Sequence, residues 1–355
     1  MKLKIKDRQF NYIYCFDTDS GFYFRSSLIK NGKLTSEEPF MSSFPHLIDV
    51  GIMGCCKTGR LGLCEKSGIQ CYQNGLNKEK PNMSLEDFEI ICIECQGKTV
   101  QFALGGRGDP DTHPQFEEIL ICGNKYNIKP NFTTSGVFLD DEKAELCNKY
   151  CGAVAVSWHN TKYTKKAIEL LIKHNVKTNI HFVLSKNSIK DAIGILKNNS
   201  IPYGVNAIIF LLHKPTGQGK NDLCLHKDEP LLKDFFELIK NHDNEHFKIG
   251  FDSCSLSGII TNLDINPNAL DACEASRFSC YIDSQLNMTP CSFDSDLLYS
   301  ESIKNSTIQE VWNGKKFEDF RNRIKSACCN CYHKNICLGG CQLFGNIKLC
   351  NGENN

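Results

Sequence analysis

From residue 47 onward, short and nearly continuous apolar runs recur: LIDVGIMG at 47–54, TVQFALGG at 99–106, KPNFTTSG at 129–136, GAVAVSWH at 152–159, KTNIHFVLS at 177–185 and GVNAIIFLL at 204–212. They predict six β-strands. Between them SLEDFEIICIECQ, DDEKAELCNKYC, TKKAIELLIKHN and SIKDAIGILKNN space their apolar residues by three and four after polar starts, which predicts helices. Ser84 and Asp87 read as a capping box opening the first of these. Alternating helices and apolar strands imply a parallel sheet covered by helices. Six such units suit an α/β barrel or partial barrel, a (β/α)6 of TIM type, with its chemistry at the carboxyl ends of the strands.

The flanking regions have a different texture. Before residue 46, NYIYCFDTDSGFYFRSSLIKNGKL alternates aromatic and polar residues around Asp19, Ser20 and Gly21, which predicts a β-hairpin extension. From about residue 246 the helical patterns thin out and cysteines accumulate, so a small core there needs metal clusters as staples. The expected division is therefore 1–46 extension, 47–245 barrel and 246–355 cysteine-rich domain, ending in a frayed NGENN tail.

Charge narrows the function classes. The 41 basic and 41 acidic residues cancel, which removes the footprint of a general nucleic-acid or membrane-surface binder. No apolar run approaches the roughly eighteen residues of a membrane span, and the start MKLKIKDRQF lacks the apolar stretch of a secretory signal, so a cytoplasmic location is expected. In a reducing cytoplasm the 21 cysteines point to metal rather than disulfides. Cys15, Cys92, Cys122, Cys147 and Cys224 stand singly in apolar or helical surroundings and read as small hydrophobes. Packing gives no reason for the clustered remainder.

The first cluster is GIMGCCKTGRLGLCEKSGIQCYQNG, at the end of the first strand, with Cys55, Cys56, Cys64 and Cys71. Three thiolates on such a loop can hold a four-iron cluster with one iron open to an external ligand. Structural zinc is the rival, although it favours pairs two to four residues apart. Here the sequence resembles the radical S-adenosylmethionine (radical SAM) enzymes. Setting Asp49-Val-Gly-Ile and Cys71-Tyr-Gln on that family's pattern puts the cluster ligands on Cys56, Cys64 and Cys71, with Cys55 as the alternative first ligand. The intervals of seven and six residues replace the family's three and two, and Gln70 stands where an aromatic residue is usual.

LGGRGDPDTHP at 104–114 resembles the family's glycine-rich turn, whose backbone carbonyls and acidic side chain hold the amino group of SAM. The resemblance places Gly105, Gly106, Gly108, Asp109 and Pro110 against the cofactor, Thr134 and Ser135 on a second turn, and Ser157 near its ribose or carboxylate.

Cys328, Cys331, Cys337 and Cys341, at intervals of two, five and three residues, resemble the SPASM domain and its two auxiliary four-iron clusters. By that resemblance Cys273, Cys291 and Cys341 hold the first, with Cys280 completing it, and Cys328, Cys331, Cys337 and Cys350 hold the second; Cys329 is left free. Cys254, at the end of the strand-like FKIGFDSC, is a candidate active-site thiol with Asp252 as proton acceptor.

The resemblance implies three [4Fe-4S] clusters, SAM, a flavodoxin- or ferredoxin-type electron donor, and reductive cleavage of SAM to a 5′-deoxyadenosyl radical that takes a hydrogen atom from a peptide. A maturase of a ribosomally made peptide, an oxidoreductase forming a crosslink or thioether, is the leading expectation. The alternatives are a sulfatase-maturing-type protein oxidase, a small-molecule dehydrogenase and a non-enzymatic zinc-stapled interaction protein. An extended peptide would lie between barrel mouth and carboxyl-terminal domain, with the amino-terminal hairpin either lending it a strand edge or capping the barrel's other end.

Overall fold

The structure, a computed structural model, describes residues 1–350 apart from positions 67, 69, 74, 77, 78, 243–245, 267, 268 and 329. The expected NGENN tail and the free Cys329 lie outside the described residues.

All six predicted strands form. After β1 (Lys2–Asp7), β2 (Tyr12–Asp17), β3 (Tyr23–Arg25), β4 (Ile29–Lys30) and β5 (Lys33–Leu34) come β6 (Leu47–Met53), β7 (Gln101–Gly106), β8 (Lys129–Thr134), β9 (Val154–Ser157), β10 (Thr178–Leu184) and β11 (Ala207–Leu212). Strands β6 to β11 pair in parallel in sequence order, and β12 (Lys248–Phe251) continues the sheet beside β11. The four predicted helices occupy Leu85–Cys95, Asp141–Tyr150, Lys162–Lys173 and Ile189–Lys197. Two more, Phe116–Lys125 and Pro230–Lys240, complete the crossovers; neither has a side chain capping its start, the signal that marks most of the others. The result is a partial TIM-type barrel.

Two local expectations change. Ser84 accepts the Asp87 N–H at 3.0 Å, but no return bond completes a capping box; Asp is one methylene shorter than the Glu that closes this motif. The sheet also does not break at residue 246. β12 is a barrel strand, β13 (Ser279–Ile282) pairs in parallel with the opposite edge strand β6, and β14 (Asn287–Thr289) and β15 (Glu301–Ser302) extend it antiparallel into the cysteine-rich region.

Side chains alternate across the sheet. Ile48, Val50, Phe102, Leu104, Phe132, Val156, Ile180 and Phe210 are buried in the main core, on the helix-covered face, whereas Asp49, Ala103, Thr133, Ser157 and His181 occupy the alternate, inward-facing positions. The amino-terminal extension is a three-stranded sheet, β1 to β3, rather than one hairpin. Tyr12, Tyr14 and Phe16 pack with Val100 and Phe278. The Tyr12 hydroxyl lies 3.0 Å from His46 Nε2, Tyr14 stacks on the His46 ring at 3.7 Å, and Tyr14 donates to the Lys98 carbonyl. Lys177 reaches the Ser20 carbonyl. His46, Lys98 and Lys177 all precede barrel strands, so the extension packs over the amino ends, and through Arg25 it also reaches Asp271 and Glu274.

Candidate active site

Strand β6 ends at Met53, and the thiol loop follows at its carboxyl end. Cys56 opens the short helix Lys57–Arg60, its sulfur accepting the Gly59 N–H at 3.0 Å. Burial pushes the Cys56 thiol up to about 11, with Asp109 and Cys71 adding to it. Burial likewise raises Cys64 to about 12, and the negative neighbours that add to it are Cys56, Asp109 and Cys71. The charges of Asp109 and Cys71 bear on both Cys56 and Cys64, and Cys55, whose charge also bears on Cys56, has its sulfur 3.9 Å from the Asn82 side-chain oxygen. Thiols crowded by negative charge surrender their protons to a bound cation, because the cation reverses the local field.

The glycine-rich turn at the end of β7 lies directly against this loop. Gly106 has φ of 108°, and a Cβ there would stand 2.5 Å from the Met53 carbonyl oxygen; one on Gly108 would collide with the Cys55 carbonyl. Gly105 instead faces open space, so backbone is exposed to a ligand where a side chain would cover it. Pro110 then starts a tight 3₁₀ turn to Thr112.

Asp109, the expected amino-group holder, is already engaged by three protein donors. Its Oδ1 accepts the Ser135 N–H at 2.8 Å, and its Oδ2 accepts the Ser135 hydroxyl at 2.6 Å and the Thr58 hydroxyl. The carboxylate thus ties the thiol loop, the β7 turn and the β8 turn together. Thr134 is a correction: fully buried, it pairs with Val156 on the helix-facing side, and its hydroxyl accepts the Gly136 N–H at 2.9 Å. Its neighbour Thr133 faces inward, 3.1 Å from His181 Nδ1. Burial pushes His181 down to about 4, which keeps it neutral, and it pairs with Ser157 across β9 and β10. Thr133 and His181 were missed because a turn motif gives no register between strands; alternation back from Ser135 would have found Thr133, and nothing short of the β9–β10 pairing finds His181.

Asp252 is a second correction. Its Oδ2 accepts the Leu212 N–H at 3.1 Å and the Lys214 ammonium, and its Oδ1 accepts the Ser255 N–H at 3.1 Å and the Ser255 hydroxyl at 2.7 Å. Four donors leave no lone pair for a substrate proton. Burial opposes the charge of Lys214, but Asp252 outweighs it and its pKa rises.

The auxiliary thiols border two cavities. One of about 960 Å³ lies between β12 and β13, where the barrel is open, with Asp49, Cys254, Cys273 and Cys291 on its walls. Burial pushes Cys273 up to about 12 and raises Cys291, and burial followed by the Glu274 charge pushes Asp49 up to about 7. The other, of about 210 Å³, is lined by Cys328, Cys331, Cys337 and Cys350 together with His333. Burial, then Cys350, pushes Cys337 up to about 11. Among the described residues no three His, Cys, Asp or Glu side chains converge as a single ion requires. The thiols ring cavities instead, and soft sulfur donors spaced around a volume suit a multi-iron cluster.

Phe293 joins the regions: its ring centroid is 4.6 Å from that of Tyr72, the neighbour of Cys71, and 4.6 Å from Lys214 Nζ.

Residues 273–332 match the SPASM family, described as an iron–sulfur cluster-binding domain. Mycofactocin maturase MftC of Mycobacterium ulcerans (strain Agy99) is 22% identical over 348 positions, covering 86% of this chain and 87% of that one. The chain resembles the SPASM-bearing radical SAM enzymes. Among solved structures, Streptococcus suis SuiB bound to S-adenosylmethionine superposes with TM-score 0.64 at 17% identity, covering 85% of this chain and 74% of that one. SuiB bound to precursor peptide SuiA gives 0.63 at 15%, covering 88% and 77%. AnSMEcpe with bound AdoMet gives 0.62 at 18%, covering 86% and 91%. At these identities the shared feature is the fold. No helix among the described residues is long and apolar enough to cross a membrane.

Proposed function

We propose that this chain is a radical SAM enzyme that matures a ribosomally made peptide. The observation that carries the reading is the meeting of Cys56, Cys64 and Cys71 with the Gly105–Gly108 turn at the carboxyl ends of parallel strands, upstream of a matched iron–sulfur domain. SAM on a four-iron cluster supplies, when both are bound, the 5′-deoxyadenosyl radical that abstracts a hydrogen atom.

The chain's own work is positioning. Cys56, Cys64 and Cys71 would hold a four-iron cluster as its three thiolate ligands. Backbone carbonyls of the Gly105–Gly108 turn take the cofactor's amino group, and Asp109, through Ser135 and Thr58, keeps turn and thiol loop in register. Ser157 and the neutral His181 present polar groups to the ribose and carboxylate from the inner face. The cavity between β12 and β13 admits a peptide segment beside this centre. Two auxiliary clusters on the 273–350 thiols bring the total to three. When bound, such clusters would supply an acceptor for the electron left after hydrogen abstraction, in keeping with a net oxidation, a crosslink or thioether. A flavodoxin- or ferredoxin-type protein supplies the initiating electron in the cytoplasm. In this reading residues 47–251 act as the barrel unit and the remainder of the cysteine-rich region as the electron-handling unit.

The test is isotopic. The full chain, reconstituted anaerobically, is given perdeuterated cysteine-containing peptides and, separately, perdeuterated small-molecule alcohols. Deuterium should enter 5′-deoxyadenosine as the peptide loses mass. Deuterium arriving from a small-molecule alcohol, and none from the peptide, rejects the substrate class.

A further inference from the structure

We infer that Cys254, and not Cys280, completes the first auxiliary thiol set with Cys273, Cys291 and Cys341. The inference deepens the proposed function, since it rests on the iron–sulfur reading of that set, and it concerns a residue outside the matched SPASM positions.

The register of β13 removes Cys280. Cys280 pairs with Ile48, Tyr281 with Asp49 and Ile282 with Val50. Ile48 and Val50 lie under the helices, so period two puts Cys280 and Ile282 on that outer face and Tyr281 on the inner one. Cys280 is 2% exposed and belongs to the same packed core as Ile48, Ile282 and Cys95 of the helix Leu85–Cys95. Residue 280 borders the large cavity as part of the strand that walls it, but its side chain is directed into apolar core. A cluster there would have to displace that core.

Cys254 has the opposite placement. It sits in a 3₁₀ turn, Ser253–Ser255, at the carboxyl end of barrel strand β12, and Cys341 is among the neighbours whose charge bears on its thiol. It shares the cavity wall with Cys273 and Cys291. The turn is held in place: Asp252 caps it through Ser255 and is itself anchored by Leu212 and by Lys214, whose side chain is 3% exposed. This explains the rigid carboxylate that does no proton transfer. It fixes one ligand thiol and sets a buried ammonium beside a cluster whose thiolates make it anionic. On binding, Cys254 releases its thiol proton to solvent and its sulfur takes the fourth iron, with no change of oxidation state. The cluster then has no open iron, its substrate-side role is electron transfer, and it tethers the barrel to the SPASM region.

The experiment uses the full chain with Cys56, Cys64 and Cys71 changed to Ala, so that only auxiliary clusters report. Into this parent are placed Cys254→Ala, Cys254→Ser and Cys280→Ala. Each protein is reconstituted, assayed for iron, reduced and examined by pulsed electron paramagnetic resonance with and without 13C-labelled cyanide, a probe for an exposed iron. The parent and Cys280→Ala should hold about eight irons and show no 13C coupling. Cys254→Ala should either show 13C coupling or fall to about four irons, and Cys254→Ser should keep its iron with an altered spectrum. Coupling in the parent, coupling or iron loss in Cys280→Ala with Cys254→Ala unaffected, or an unaltered Cys254→Ser spectrum overturns the assignment while leaving the iron–sulfur reading intact. A parent that binds no iron after reconstitution overturns both, which separates the two failures.

Discussion

Asp111 is a carboxyl held where its charge is disfavoured. It is 1% exposed, and burial followed by the Asp109 charge pushes it up to about 7, only partly offset by the Thr134 hydroxyl. The unfolded chain titrates this group near 3.9. Between the two values the folded state holds a proton that the unfolded state has lost, so the contribution is full below about pH 4 and is lost as pH rises through 7. Asp111→Asn should flatten that decline. Urea midpoints at pH 5 and pH 7.5 should converge for the variant and differ for the parent chain; parallel behaviour would mean that the carboxyl is ionised and solvated. Lys214 gives the opposite case, a buried ammonium with a salt-bridge partner. Lys214→Met leaves Asp252 buried and unpaired and should cost about 3–5 kcal/mol in chemical denaturation. It should also lower the reduction potential of the neighbouring cluster, because a compensating cation is gone. A stability change without a potential shift would place the cluster elsewhere. At this scale the sequence was least transparent. Motif spacing carries no side-chain direction, whereas strand register does: it turns Thr133 inward and Thr134 outward, and puts Cys280 on the helix-covered face.

Elements were far more legible. Strands buried on both faces need unbroken apolar runs, so all six barrel strands could be read directly, and helices beginning with Ser, Thr or Asp announced themselves. The helix Phe116–Lys125 begins after Gln115, which makes no side-chain cap, and so offered no start signal. β12 is only four residues long and lies beyond a change in composition, yet it pairs with β11 as part of the barrel sheet. The amino-terminal strands alternated visibly, but only the packed structure shows where they dock. Tyr12 is fully buried among Tyr14, Phe16, Val100 and Phe278. Tyr12→Ala should therefore destabilise the chain by about 3–5 kcal/mol. Peptide affinity in the folded protein should stay unchanged, since Tyr12 packs inside the extension's own cluster and does not line the cavity beside β12; weakened binding by a fully folded variant would place Tyr12 on the substrate path.

Across the whole molecule, one sheet runs through both the barrel and the cysteine-rich region, and the thiols fall into three sets along it. Cys56, Cys64 and Cys71 stand at the barrel mouth, Cys273, Cys291 and Cys341 meet Cys254 at its open seam, and Cys328, Cys331, Cys337 and Cys350 ring the outer cavity. Phe293, between Tyr72 and Lys214, bridges the first two sets. The order suits a radical centre followed by electron acceptors. The most direct measurement combines iron content with 5′-deoxyadenosine formation under dithionite and SAM, for the parent chain and for the Cys56, Cys64, Cys71→Ala variant. The parent should hold about twelve irons and form 5′-deoxyadenosine, and the variant should hold about eight and form none. Equal yields of 5′-deoxyadenosine from the two proteins would contradict the radical assignment.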